Sequence, residues 1–117
     1  MKNLLTLAAL LLLTHTSFAG YFTGNDLKKW ANASERIARG NASDVDYQDS
    51  AMLMGFIIGV ADGTQGEMMC VPTGTSGAQL KAMVTKFLNE NPATWGKDAS
   101  LLVMYALVPD FPCKKSQ

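Results

Sequence analysis

The 117-residue chain has little that chemistry usually draws on: one histidine, two cysteines, four prolines, and 10 basic side chains balanced by 10 acidic ones. Zero formal charge excludes a polybasic nucleic-acid binder and an acidic interaction tail. Two cysteines are too few for a disulfide-dense toxin, and four prolines and 10 glycines too few for collagen-like or low-complexity sequence. The longest apolar run, Leu4 to Leu13, makes a helix of roughly 15 Å, about half of what a bilayer needs, so no membrane span is expected. What is present is 48% apolar residues with 17% charged, the balance of one small packed domain and not of a disordered chain.

Lys2, the Leu4–Leu13 run and the small residues Ser17 and Ala19 form the three parts of a secretory signal peptide, placing residues 1–19 as the address and 20–117 as a single exported domain. Processing after Ala19 would remove His15, the only histidine. The remaining chain has no imidazole for a Ser-His or Cys-His pair, a metal site or a proton switch. The oxidising compartment then makes Cys70 and Cys113 most simply a structural disulfide. Closing that loop is worth about 4 kcal/mol in the chain-entropy treatment.

Four segments read as helices. The first runs from Asp26 to Arg39, with Asn25 as its N-cap, Gly40 as its terminator, and Leu27, Trp30, Ala31, Ser34, Ile37 and Ala38 on one face. Residues 40–47 read as a polar loop. The second segment, Tyr47 to Asp62, is apolar almost all round, which predicts a central, buried helix. On it Ala51, Gly55 and Gly59 recur every fourth residue, as either tight packing within the domain or the seam of a homodimer. Residues 63–74 read as a long loop, in which Gln65, Glu67, Met68 and Met69 are the candidate partner-binding residues. The third segment starts at a Ser76–Gln79 capping box, carries Leu80, Met83, Val84, Phe87 and Leu88, and stops at Asn91-Pro92. The fourth starts between Ala93 and Lys97 and ends at Val108, with Trp95, Ala99, Leu102, Val103, Ala106 and Leu107 in one stripe. The expected architecture is all-α: a compact bundle of four to five helices stapled by one disulfide, with the bridge fastening the open end of a hairpin of the third and fourth helices.

Searches for reactive constellations fail. Gly59 to Gly66 lacks the Gly-Lys-Ser/Thr of a phosphate loop, and Asp44, Asp46 and Asp49 lack the glycine and closing glutamate of a calcium loop. Asp62 and Glu67 read as a capping and a solvated carboxylate, and Tyr21, Phe22, Trp30 and Trp95 as packing aromatics. No catalytic residue, metal or cofactor is expected.

Several strings, in order, resemble a known family: Gly24-Asn25-Asp26-Leu27 followed by Trp30, Gly55-Phe56-Ile57-Ile58-Gly59-Val60-Ala61-Asp62, Cys70-Val71-Pro72, Gln79-Leu80 with Phe87-Leu88 and Asn91-Pro92, and Phe111-Pro112-Cys113. Together they resemble the Rap/Tai group of type VI secretion immunity proteins. The resemblance implies a periplasmic all-α protein, commonly a homodimer, that binds an injected peptidoglycan amidase and blocks its cleft. A second cysteine pair found in many relatives is missing, its places being taken by Ala31 and Ala51-Met52-Leu53. The competing expectation is a small acid-stress chaperone of the helical one-disulfide type.

Overall fold

The computed structural model describes residues 20–114. The expected signal peptide, residues 1–19, lies outside them. Helix α1 spans Gly24–Ala38, α2 Asp44–Thr64, α3 Gly77–Glu90 and α4 Ala99–Leu107, with a one-turn 3₁₀ helix at Pro92–Thr94 between the last two. Among the described residues there is no strand, only the isolated bridges Thr23–Asp98 and Gln65–Met69.

Helix α1 begins earlier than Asn25 predicts. Thr23 is the N-cap, and its N–H and hydroxyl both donate to the Asp26 carboxylate at 2.8 and 3.1 Å. The next two orphan amides are satisfied from another part of the chain: Gly24 N–H reaches the Lys97 carbonyl at 2.9 Å and Asn25 N–H the Trp95 carbonyl at 2.8 Å. The Ala99 N–H, which a helix running through 95–97 would turn to the Trp95 carbonyl, donates instead to the Phe22 carbonyl at 2.9 Å, and α4 starts at Ala99 rather than in the stretch from Ala93 to Lys97. A Cβ on Gly24 would sit 2.7 Å from the Trp95 Cα and against the Leu102 side chain, so this close approach needs glycine. The far end of α1 closes as expected at Gly40, whose φ of +74° lets Gly40 and Asn41 donate back to Ile37 and Arg36.

Helix α2 also starts early, on a second capping box formed by Ser43 and Asp46, so Asp44 and Asp46 are helical and not loop residues. The other oxygen of Asp46 accepts two hydrogen bonds from Arg36, at 2.6 and 3.1 Å, which ties the α1–α2 corner. These bonds, from Arg36 first and then from Ser43, hold the Asp46 carboxyl far below the usual carboxylate range and raise the Arg36 guanidinium in turn. Helix α3 keeps the Ser76 half of its box, with Gln79 N–H donating to the Ser76 hydroxyl at 3.1 Å, but no return bond from the Gln79 side chain.

The core is one cluster: Leu27, Trp30 and Ala31 from α1, Leu53, Ile57 and Ala61 from α2, Leu80, Val84 and Leu88 from α3, and most of α4. Phe22, Trp30 and Phe56 stack edge to face beside it. Tyr21 sets its ring edge to face on Phe22, centroids 5.2 Å apart, but is 95% exposed and so lies outside the core. Nor is α2 buried all round. Its inner face alone is covered, while Tyr47, Ala51, Met52, Gly55, Ile58 and Gly59 face outward, because a four-helix domain this small has no second layer to lay over its longest helix. Cys70 and Cys113 are bonded with their Cα atoms 4.8 Å apart, joining the chain that enters α3 to the chain that leaves α4.

Candidate functional site

The segment between α2 and α3 is a built turn. Thr64 ends α2, and its carbonyl accepts from the amides of Glu67, Met68 and Met69 at 3.0 to 3.3 Å. Gly66, at a φ of +84°, turns its N–H back to the Met69 carbonyl at 2.8 Å. The Gln65 side chain clasps Val71 in both directions, donating to its carbonyl at 3.2 Å and accepting from its N–H at 3.0 Å. Cys70 N–H then donates to the Phe111 carbonyl at 2.8 Å, beside the disulfide. Backbone, side chain and covalent bond all fix the same eight residues.

This geometry sorts the four candidate residues. Met69 is 0% exposed and belongs to the core, so it is no contact residue. Gln65 lies at the surface but spends its amide on holding the turn. Glu67 and Met68 project outward, Met68 at 54% exposure. Adjacent residues in a tight turn face opposite ways, and nothing in the sequence Met68-Met69 distinguishes them.

Met68 forms one wall of an apolar cleft of about 270 Å³, completed by Leu101, Met104, Tyr105, Val108 and Pro109. Tyr105 and Pro109 continue into an adjoining groove with Met83, Phe87, Glu90 and Asp110. Sequence reasoning missed the α4 part of this surface. The signal was present: Leu101, Met104, Tyr105 and Val108 stand at i, i+3, i+4 and i+7, a second apolar stripe on a helix whose first stripe already fills the core. Asp110 lines the second groove and is in no ion pair among the described residues, while Lys86 and Glu90, which also line it, pair with each other at 4.0 Å.

Ala51, Gly55 and Gly59 form the other candidate surface. All three are exposed, and a Cβ added at Gly55 or Gly59 would meet nothing within 4 Å. Tight packing inside the domain therefore does not account for these glycines. Reactive chemistry does not gather at either surface: among the described residues no three His, Cys, Asp or Glu side chains form a metal-holding group, and there is no free thiol. Asp49, one of the calcium-like acids, instead pairs with Lys29 at 3.5 Å.

The sequence profile of the Rap1a immunity proteins matches residues 23–113, nearly all of the described chain. The protein belongs to that family. Among curated proteins no relative is found. The matched span opens on the Thr23 cap of α1 and closes on the disulfide cysteine Cys113, so the family pattern and the folded unit coincide. An immunity protein has a cognate effector as its partner. No helix among the described residues of this one is long and apolar enough to cross a membrane.

Proposed function

We propose that this Rap1a-family protein is exported to the periplasm and there neutralises a type VI secretion effector by occluding it. The favoured target is a peptidoglycan amidase, the toxin class that the sequence resemblance implies. The observation that carries this reading is the braced turn at 65–71, which presents Met68 over the Leu101–Tyr105 cleft. Holding an apolar side chain half in water on a rigid support costs solvation free energy in the isolated protein, and a partner that covers it recovers that cost. The cleft supplies an apolar centre and Lys86, Glu90 and Asp110 of the adjoining groove a charged edge, the arrangement of a protein-binding surface. The α2 face of Ala51, Gly55 and Gly59 serves the homodimer, since small residues let two helix backbones approach closely and Met52 and Ile58 supply apolar area beside them.

Co-expression tests the proposal. Cells exporting a periplasmic amidase effector encoded beside this gene should survive when the protein is co-exported, and Met68→Glu with Tyr105→Glu should abolish protection while leaving the thermal melt within a few degrees of wild type. Wild-type protein that fails to protect against the amidase would remove the proposed target. Full protection by the folded double variant would remove the proposed surface.

A further inference from the structure

Gly20 and Asp98 are far apart in sequence and adjacent in space. The Gly20 nitrogen lies 3.2 Å from Oδ1 of Asp98. The residues that follow Gly20 run along the start of α4: Ala99 N–H donates to the Phe22 carbonyl at 2.9 Å, Thr23 bridges to Asp98, and Gly24 N–H reaches the Lys97 carbonyl. The chain is thus pinned to the start of α4 from Phe22 onward, two residues from the Gly20 nitrogen. A Cβ on Gly20 would fall 2.9 Å from Cγ and 3.0 Å from Cβ of Asp98, so a side chain there would have to push the carboxylate aside. Asp98 is the N-cap residue of α4, yet its carboxylate makes no capping bond to its own helix. It is turned toward Gly20.

We propose that export processing after Ala19 completes an ion pair between the new amino terminus of Gly20 and the Asp98 carboxylate, so that a tie across the α1–α4 junction that is neutral in the precursor becomes charged in the mature protein. In the precursor the Gly20 nitrogen is an amide, one neutral N–H. Hydrolysis of the Ala19–Gly20 bond by the export endopeptidase adds one water: its oxygen stays on Ala19 as part of a carboxylate, and both its protons end on the Gly20 nitrogen, which becomes an ammonium. The same atom, at the same distance from Asp98, now carries a positive charge and three donors, and a charge-assisted bond replaces a neutral one. Asp98 stands at the positive end of α4, which favours a negative charge there. Other charged or titratable groups nearby are committed or apart. Asp26 is engaged by Thr23, Lys28 is bound to the Asn89 side chain at 2.6 Å, and no cation lies within 4.0 Å of Asp98 in an ion pair among the described residues. Lys97 and Tyr21 are exposed neighbours.

The inference rests on the export reading but not on the identity of the effector. Its test uses protein purified from the periplasm and labelled with ¹³C-glycine. Mass spectrometry should find Gly20 as the first residue, and any other terminus overturns the proposal. The Gly20 carbonyl shift then follows protonation of the amino group. Its midpoint in the wild type should lie at least about half a pH unit above that in Asp98→Asn, because an opposite charge at this distance favours the protonated form. Coincident midpoints would overturn the pairing. Gly20→Ala, labelled with ¹³C-alanine and read at the carbonyl of its new first residue, should lower the midpoint toward that of Asp98→Asn, since the added methyl displaces the carboxylate. A raised folded-state value means that the stabilisation is complete below the unfolded-chain value near pH 7.7–8.0 and disappears as pH rises through the folded one. Asp98→Asn should therefore melt about 1–5 °C below wild type at pH 6.5, and the gap should close by pH 9.5. A protein that shows this titration yet protects against no effector would cost the immunity reading and keep the ion pair.

Discussion

Single residues carry much of what fixes this domain, and two of them make testable claims. Gly24 stands where the first turn of α1 meets Trp95 and Leu102 with no space for a methyl group. Gly24→Ala should destabilise the protein by about 1–3 kcal/mol, the usual range for overpacking a tight contact, read as a lower urea midpoint at unchanged slope. Asp46 makes a claim about pH. Its carboxyl is held well below its unfolded value by Arg36 and Ser43, so the stability it supplies is present above about pH 4 and is lost progressively as the pH falls. The urea midpoint of wild type should exceed that of Asp46→Asn clearly at pH 7 and by much less at pH 2.5. Equal gaps at the two pH values would show that the Arg36–Asp46 pair does not govern the acid response. Both residues escaped the reading of the sequence for one reason. Each gains its role from a partner on another element, Gly24 from the 95–102 stretch and Asp46 from Arg36, and local spacing does not report such partners.

Elements were legible where their signals are local. The stripe on α3, the Gly40 stop of α1 and the pairing of Cys70 with Cys113 all follow from residues close in sequence or from composition. Helix starts were misplaced where polar residues that look like loop, Thr23 to Asn25 and Ser43 to Asp46, turn out to cap and form the first turns. The candidate site was half legible. The sequence marks the 63–69 stretch as a candidate surface but not the α4 wall beside it, because the stripe of α4 that fills the core masks the opposite stripe of the same short helix. The disulfide lets the element-scale account be tested. Removing it with Cys70→Ser and Cys113→Ser should cost about 4 kcal/mol by chain entropy, its sequence separation being 43. Amide exchange in 65–71 should quicken more than exchange in the core helices, since the turn loses the covalent member of its bracing. Uniform acceleration across all four helices would mean that the bridge stabilises the domain without specially ordering the turn.

At the scale of the whole molecule, an apolar longest helix is covered on one side only. Gly55 and Gly59 have open space where a side chain would stand, so Gly55→Arg or Gly59→Arg should fold normally and change only what the α2 face does. Sedimentation of the wild type should show a dimer that either arginine converts to a monomer, with no fall in the melting temperature of the dilute protein. A wild type that sediments as a monomer at high concentration would leave the α2 face without its assigned role. Distinct surfaces on α2 and α4 would also let self-association and effector capture proceed without competing for the same residues. Met68 and Met69 face opposite ways, and an oxidant would tell them apart. Mild peroxide should convert the outward Met68 to its sulfoxide well before the shielded Met69, which fragment mass spectra can resolve. One added oxygen would turn the apolar wall of the cleft polar with the helices intact, so an antidote built this way would age at its contact surface before it aged in its fold, and repair by a sulfoxide reductase would restore it.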